Sequence, residues 1–298
     1  MRSPLLALLL VAACGASGPE LAGDRAYGAG RYADALAQYH RAVGHGDGGR
    51  LQAKLAAAAL RSGELTVAAD AWRRLATDDP TRLEEAADGL EAVAREADRR
   101  ADTAALRSAV LALGAAAPER PVGRHVLALT RHAALSEREA VSLLPAAMAA
   151  APDGATVDSL LAGYAVALQA SAGCEQAAPA YRAALRRTRS SAVRGIAGSG
   201  LATCALNLGL VALGNGQPAE AARWLVQAVG VDSVSWTGRR ALIALGDARV
   251  GQGDILAAAI AYQSAADAGV SDSLGRIARQ RLTRLGTGGA DSTGPRTE

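Results

Sequence analysis

The sequence predicts an all-α fold, an α-solenoid of short helices paired through tight turns, and three observations lead there. Alanine (74 residues) and glycine (33) make up more than a third of the 298 positions. Ala is the best helix former, and small side chains let helices approach closely along many short contacts. There is no Phe, with only three Trp and six Tyr, which leaves too few aromatic and β-branched positions for a strand-rich fold. Third, small residues and glycines recur along the chain in one fixed order.

Taken in order, the chain opens with Arg2, the apolar run Leu5 to Ala13, and Cys14. Nine apolar residues fall short of the roughly 20 needed to cross about 30 Å of hydrocarbon, so this stretch reads as a signal peptide over residues 1–13. Val11-Ala12-Ala13-Cys14 resembles the bacterial lipobox, an aliphatic residue and two small ones before a cysteine. That resemblance implies cleavage before Cys14, acylation of its thiol, and anchoring in the cell envelope, with Gly15 after the cysteine pointing to the outer membrane, facing the periplasm. The other reading is an ordinary secretory peptide and an unanchored protein.

From residue 14 to 271 the chain repeats itself. Leu245-Gly246 is followed by Gly253, Ala258, Tyr262 and Ala265, and the same ladder stands at Leu208-Gly209, Gly216, Ala221, Leu225, Ala228. Earlier copies run Ala22-Gly23, Gly30, Ala35, Tyr39, Ala42 and Leu55-Ala56, Gly63, Ala68, Trp72, Leu75; weaker ones include Leu127-Ala128 through Leu144 and Tyr164-Ala165 through Tyr181. This ladder resembles the tetratricopeptide repeat (TPR), about seven copies in all. The family resemblance implies a right-handed superhelix of helix-turn-helix units. Gly30, Gly63, Gly216 and Gly253 are placed to end the first helix of a pair, and the small residue of the first helix answers the alanine and aromatic of the second. The third copy, Ala92 to Pro118, is degenerate, and extra residues near 186–200 read as a loop or as an elongated first helix. Residues 272–286 read as a capping helix with Leu274, Ile277, Ala278, Leu282 and Leu285 inward and Arg276, Arg279 and Arg284 outward. Residues 287–298 hold no core former and are expected to be disordered.

Charge is near balance at +3, which gives no field for nucleic acid. Lys54 is the sole lysine against 31 arginines, and it stands in Leu51-Gln-Ala-Lys-Leu-Ala rather than after a glycine-rich loop, so a P-loop is excluded. His125 and His132 are seven residues apart on one helix, about 10 Å by helical rise, too far for one metal. His40, His45 and Asp47 surround a glycine-rich turn, and Gly195 to Gly200 follows no strand, so neither a metal site, a nucleotide loop nor any cofactor is expected. Cys174 and Cys204 form an even pair in an oxidising compartment. A bridge is open to such a pair, although their predicted positions, the start of one helix and well along the next, favour a separation above about 10 Å and argue against it.

The reading is a non-catalytic scaffold that binds a protein or peptide. The family resemblance places its groove on the first helices: Ala53, Ala57 and Leu60 with Lys54 alongside; His125, Leu129 and His132; Leu206, Leu210 and Leu213; Ile243, Asp247 and Val250. The lysine and asparagine clamp of the chaperone-binding members is missing, and the C-terminal strip is apolar, which suits an amphipathic helix or apolar strand. The alternative is a non-catalytic helical module of a cell-wall enzyme complex.

Overall fold

The computed structural model describes residues 18–43, 48–132, 134–268 and 272–288, and all regular structure among them is helical. Cys14, His45, Asp47 and the tail from 289 onward lie outside these residues. The chain divides into two compact units, 1–134 and 135–298.

The first unit contains α1 (Pro19–Gly28), α2 (Tyr32–Val43), α3 (Gly48–Ser62), α4 (Leu65–Asp78), α5 (Leu83–Arg100), α6 (Thr103–Ala116) and α7 (Gly123–Arg131), with one 3-10 turn at Pro80–Arg82. The second contains α8 (Glu137–Ala149), α9 (Gly154–Ser171), α10 (Cys174–Arg187), α11 (Ser191–Gly214), α12 (Pro218–Val231), α13 (Trp236–Gly251), α14 (Ile255–Asp267) and α15 (Ser273–Gly288). Within each unit consecutive helices pack as antiparallel neighbours. The fourth copy of the ladder straddles the division, with α7 in the first unit and α8 in the second.

The turn glycines stand where the spacing puts them. Gly30, Gly63, Gly216 and Gly253 all have positive φ, from 70° to 88°, a conformation glycine adopts without steric cost. The third pair turns through Ala101 at φ 56° instead. Ala101 closes α5 in the left-handed region and Asp102 caps α6 by accepting from the Ala105 N–H, so the degenerate copy is a complete hairpin whose turn lacks the glycine signal.

The helix contacts follow from the ladder. A Cβ on Gly23 would lie 2.5 Å from the Tyr39 ring, and one on Gly209 would lie 2.6 Å from Leu225. Gly246 stands in the same relation to Tyr262. In each case sixteen residues separate the pair, so one close approach of first and second helix recurs through both units. Trp72 and Tyr181 lean the other way, onto Gly89 and Gly200 of the following helix, and join one pair to the next.

Two expectations change. Residues 191–200 are not a loop: they are the first turns of α11, which at 24 residues is the elongated first helix. Ser190 caps it by accepting from the Val193 N–H. That extension also overturns the separation expected for the cysteines. Cys174 stands thirteen residues before the end of α10 and Cys204 thirteen residues after the start of α11, so both lie about 20 Å from the intervening turn on antiparallel helices. Their Cα atoms are 4.9 Å apart and the two are disulfide-bonded. α11 is long and apolar enough by composition to cross a bilayer, but half of it is buried inside the protein, where it carries core residues Ala197, Leu201, Cys204 and Leu206.

The capping helix is present as α15, with Leu274 and Ala278 buried against Leu242, Ile243 and Tyr262. Ile277, expected inward, is 41% exposed, because the packed stripe runs through 274, 278, 282 and 285 and leaves 277 on its flank.

Candidate functional site: a groove on the first helices

The first helices of the first unit, α1, α3 and α5, converge on a groove of about 440 Å³. Ala53 and Ala57 of α3 keep it open because nothing longer than a methyl projects from either position. Tyr27 and Gly28 line it from α1, Glu85 from α5 with Arg82 just before it, and Tyr39 and Trp72 reach it from the second helices. Each ring is held from below by the close approach of a glycine, Gly23 under Tyr39 and Gly89 under Trp72.

The rim is charged but internally neutralised. Lys54 Nζ lies 2.8 Å from Glu20 Oε1 and 2.8 Å from both carboxylate oxygens of Asp24. Arg50 also donates to Glu20, with Nη2 at 3.0 Å, and Tyr39 Oη donates to Asp24 at 2.8 Å. Burial works against the Lys54 ammonium, yet its hydrogen bonds to Asp24 and Glu20 outweigh that and raise its pKa. Burial likewise opposes the Asp24 carboxylate, and the bonds from Lys54 and Tyr39 overcome it and lower the pKa. Arg82 and Glu85 form a further two-bonded pair at 2.7 and 2.8 Å. The groove therefore offers an aromatic and alanine surface inside a rim whose charges are already matched, and among the described residues no three His, Cys, Asp or Glu side chains gather to hold a metal.

The residues expected to face a partner divide. Lys54, Ala53 and Ala57 lie at the groove. His125 and Leu129 do not: both are buried, at 3% and 0% exposure, because α7 ends its unit and turns that stripe onto α5 and α6. His132 is exposed at the C-terminal end of α7. In the second unit Leu206 is buried among Ala205, Ala222 and Ala241, and Ile243 is buried beneath α15. Leu210 and Val250 remain on the surface and Leu213 is half-buried. Asp247 accepts from Tyr262 Oη at 2.7 Å and pairs with Arg281 at 3.5 Å. The apolar strip is thus reduced to Leu210, Leu213 and Val250. Asp24, Tyr27, Arg82 and Glu85 were missed, although the first two had a signal: they stand one and four residues after Gly23, as Ala57 and Leu60 stand after Ala56 and Leu210 and Leu213 after Gly209.

A second concavity, about 760 Å³, lies where the extension of α11 meets the turn between α12 and α13, lined by Arg194, Gly195, Gly198, Val231, Asp232 and Ser235 among others.

No family model matches the chain, and no curated protein matches it. Solved structures do. The apo form of the quorum sensor NprR from B. thuringiensis aligns over 93% of this chain and 82% of its own, at 13% identity and a TM-score of 0.32. The TPR2AB domain of yeast Sti1, in its pHSP90 complex, aligns over 90% of this chain and 97% of its own at 15% identity and a TM-score of 0.33. A thermophilic TPR protein of Thermus thermophilus aligns over 90% and 97% at 18% identity and 0.26. The fold of this chain, among the described residues, is all-α and made of antiparallel helical hairpins.

Proposed function

We propose that this protein is a scaffold that binds a protein partner through the first-helix groove, taking an extended segment or one face of a partner helix, with no catalysis of its own. The observation that carries this reading is the convergence of α1, α3 and α5 on an open aromatic surface whose rim charges are satisfied within the chain. Such a surface favours apolar side chains over a charged terminus, since a charged ligand would have to displace the Lys54 pairings. The reading includes anchoring in the bacterial envelope through acylated Cys14, in the outer membrane facing the periplasm. The Cys174–Cys204 bridge is in keeping with an oxidising compartment.

The test is affinity capture from detergent-solubilised membranes with wild type and Ala57→Arg, which fills the groove from a half-buried position. A partner enriched by wild type and lost by a variant with unchanged helical melting supports the groove; equal capture by both overturns it. Anchoring is read separately. Wild type should incorporate acyl label and enter the detergent phase, and Cys14→Ala should lose the label; an unlabelled wild type would end that part.

A further inference from the structure

The C-terminal end of the second unit carries a surface that the groove reading leaves unused. α15 contains four arginines, Arg276, Arg279, Arg281 and Arg284, and no acidic residue. It runs parallel to α13, since both flank α14, and two ion pairs fix their register. Arg239 Nη1 and Nη2 each lie 2.5 Å from a carboxylate oxygen of Asp272, at the start of α15, and Asp247 pairs with Arg281 at 3.5 Å. The first turns of α13 and α15 therefore stand side by side at one end. There Trp236 is 58% exposed with the Arg240 guanidinium 4.7 Å over its ring. Val234, at 69%, precedes it, and Ile277 and Arg276 are exposed on α15.

The acids close to this end are already engaged. Asp232 accepts from the Val234 and Ser235 N–H groups, Asp272 from Arg239 and the Gly275 N–H, Asp267 at the end of α14 from the Gln263 amide, and Asp247, further along α13, from Tyr262. What this end exposes is Val234, Trp236 and Ile277 together with arginines, and these side chains line neither of the cavities described above. A partner peptide is gripped best in a concavity. Exposed Trp, Val and Ile side chains outside any concavity, with Arg near them, suit an interface in which the apolar groups enter the headgroup boundary while guanidinium groups meet phosphate.

We propose that this end of the second unit, centred on Trp236, Arg240, Arg276 and Ile277, docks on an anionic lipid surface. Lipid phosphates supply the negative charge that the chain does not spare here. Each arginine near such a surface adds attraction that salt screens, and the indole of Trp236 inserts at the headgroup level. The inference is independent of the groove and of Cys14.

The experiment uses residues 14–298 carrying Cys14→Ala, so that neither an acyl anchor nor the apolar run Leu5 to Ala13 can contribute, and co-sedimentation with phosphatidylcholine vesicles with and without phosphatidylglycerol. Binding should require phosphatidylglycerol, weaken with added salt, and fall about tenfold or more in Arg240→Glu/Arg276→Glu. Tryptophan emission should shift to the blue on binding and fail to shift in Trp236→Leu, because Trp72 is buried in the first unit and Trp224 is half-buried between helices. If the charge-reversed variant melts early, Arg240→Gln/Arg276→Gln gives the same reading with a smaller loss. Equal sedimentation with both vesicle types, or an unchanged affinity in the folded variants, overturns the proposal. Binding to polyglutamate with none to phosphatidylglycerol vesicles also overturns it, and assigns the surface to an acidic protein partner.

Discussion

His125 illustrates how a single side chain can leave its expected role. It is 97% withdrawn from solvent and its Nδ1 is without a hydrogen-bond partner among the described residues. Burial, and then the nearby Arg124 charge, push its pKa below the ordinary 6.5. The folded state therefore favours the neutral ring, so this contribution to stability is complete above the unfolded value and is lost as pH falls below it. Thermal melting followed from about pH 7.5 down to about pH 5 should show wild type losing more stability than His125→Leu. Parallel curves for the two would mean that the ring is not held neutral. Ala101 shows a second residue-scale effect. A non-glycine residue in the left-handed region costs roughly 1 kcal/mol, and here the tightly packed α5–α6 hairpin holds it there, which is why the third repeat could not be read from a glycine.

At the scale of the element, α11 joins most of what is particular to this chain: the close approach to Leu225, the disulfide to α10, and the extension that opens the second concavity. Its glycines are not equivalent. A side chain at Gly209 would meet Leu225, whereas a Cβ at Gly195 meets nothing within 4 Å. Gly209→Leu should therefore destabilise by overpacking, about 1–3 kcal/mol or more. Gly195→Ala should stabilise, by roughly 0.5–1 kcal/mol, through helix propensity alone. Urea unfolding monitored by circular dichroism distinguishes them, and equal effects of the same sign would contradict the helix contact that the glycine ladder encodes.

Over the whole molecule the division at 134/135 and the position of the disulfide lead to one measurement. Each unit has its own buried core, so calorimetry should resolve two transitions. The bridge closes a sequence separation of 30 residues within the second unit only. A loop of that size restricts the unfolded chain by about 3–4 kcal/mol, so reduction, or Cys204→Ala in the same scan, should lower one transition and leave the other in place. A single transition that moves as a whole would show that the units unfold together.

What the sequence by itself determined is the part set by neighbours within one helix or one turn. The helical hairpins, the turns at Gly30, Gly63, Gly216 and Gly253, the close pairs sixteen residues apart and the capping helix all follow from spacing, because helical period and left-handed turns act over a few residues. Ala53 and Ala57 were placed at the groove by the family resemblance. Only the tertiary structure decided which exposed-looking positions are covered: α15 lies over Ile243, the helices around α11 close over Leu206, and α7 turns His125 and Leu129 inward at the end of its unit. It also decided the disulfide, since the distance between Cys174 and Cys204 depends on where α11 begins, and that start lies in a stretch whose glycines read equally well as loop. Burial and cross-helix register depend on which surfaces meet, and those meetings join residues too distant in sequence for local pattern to specify.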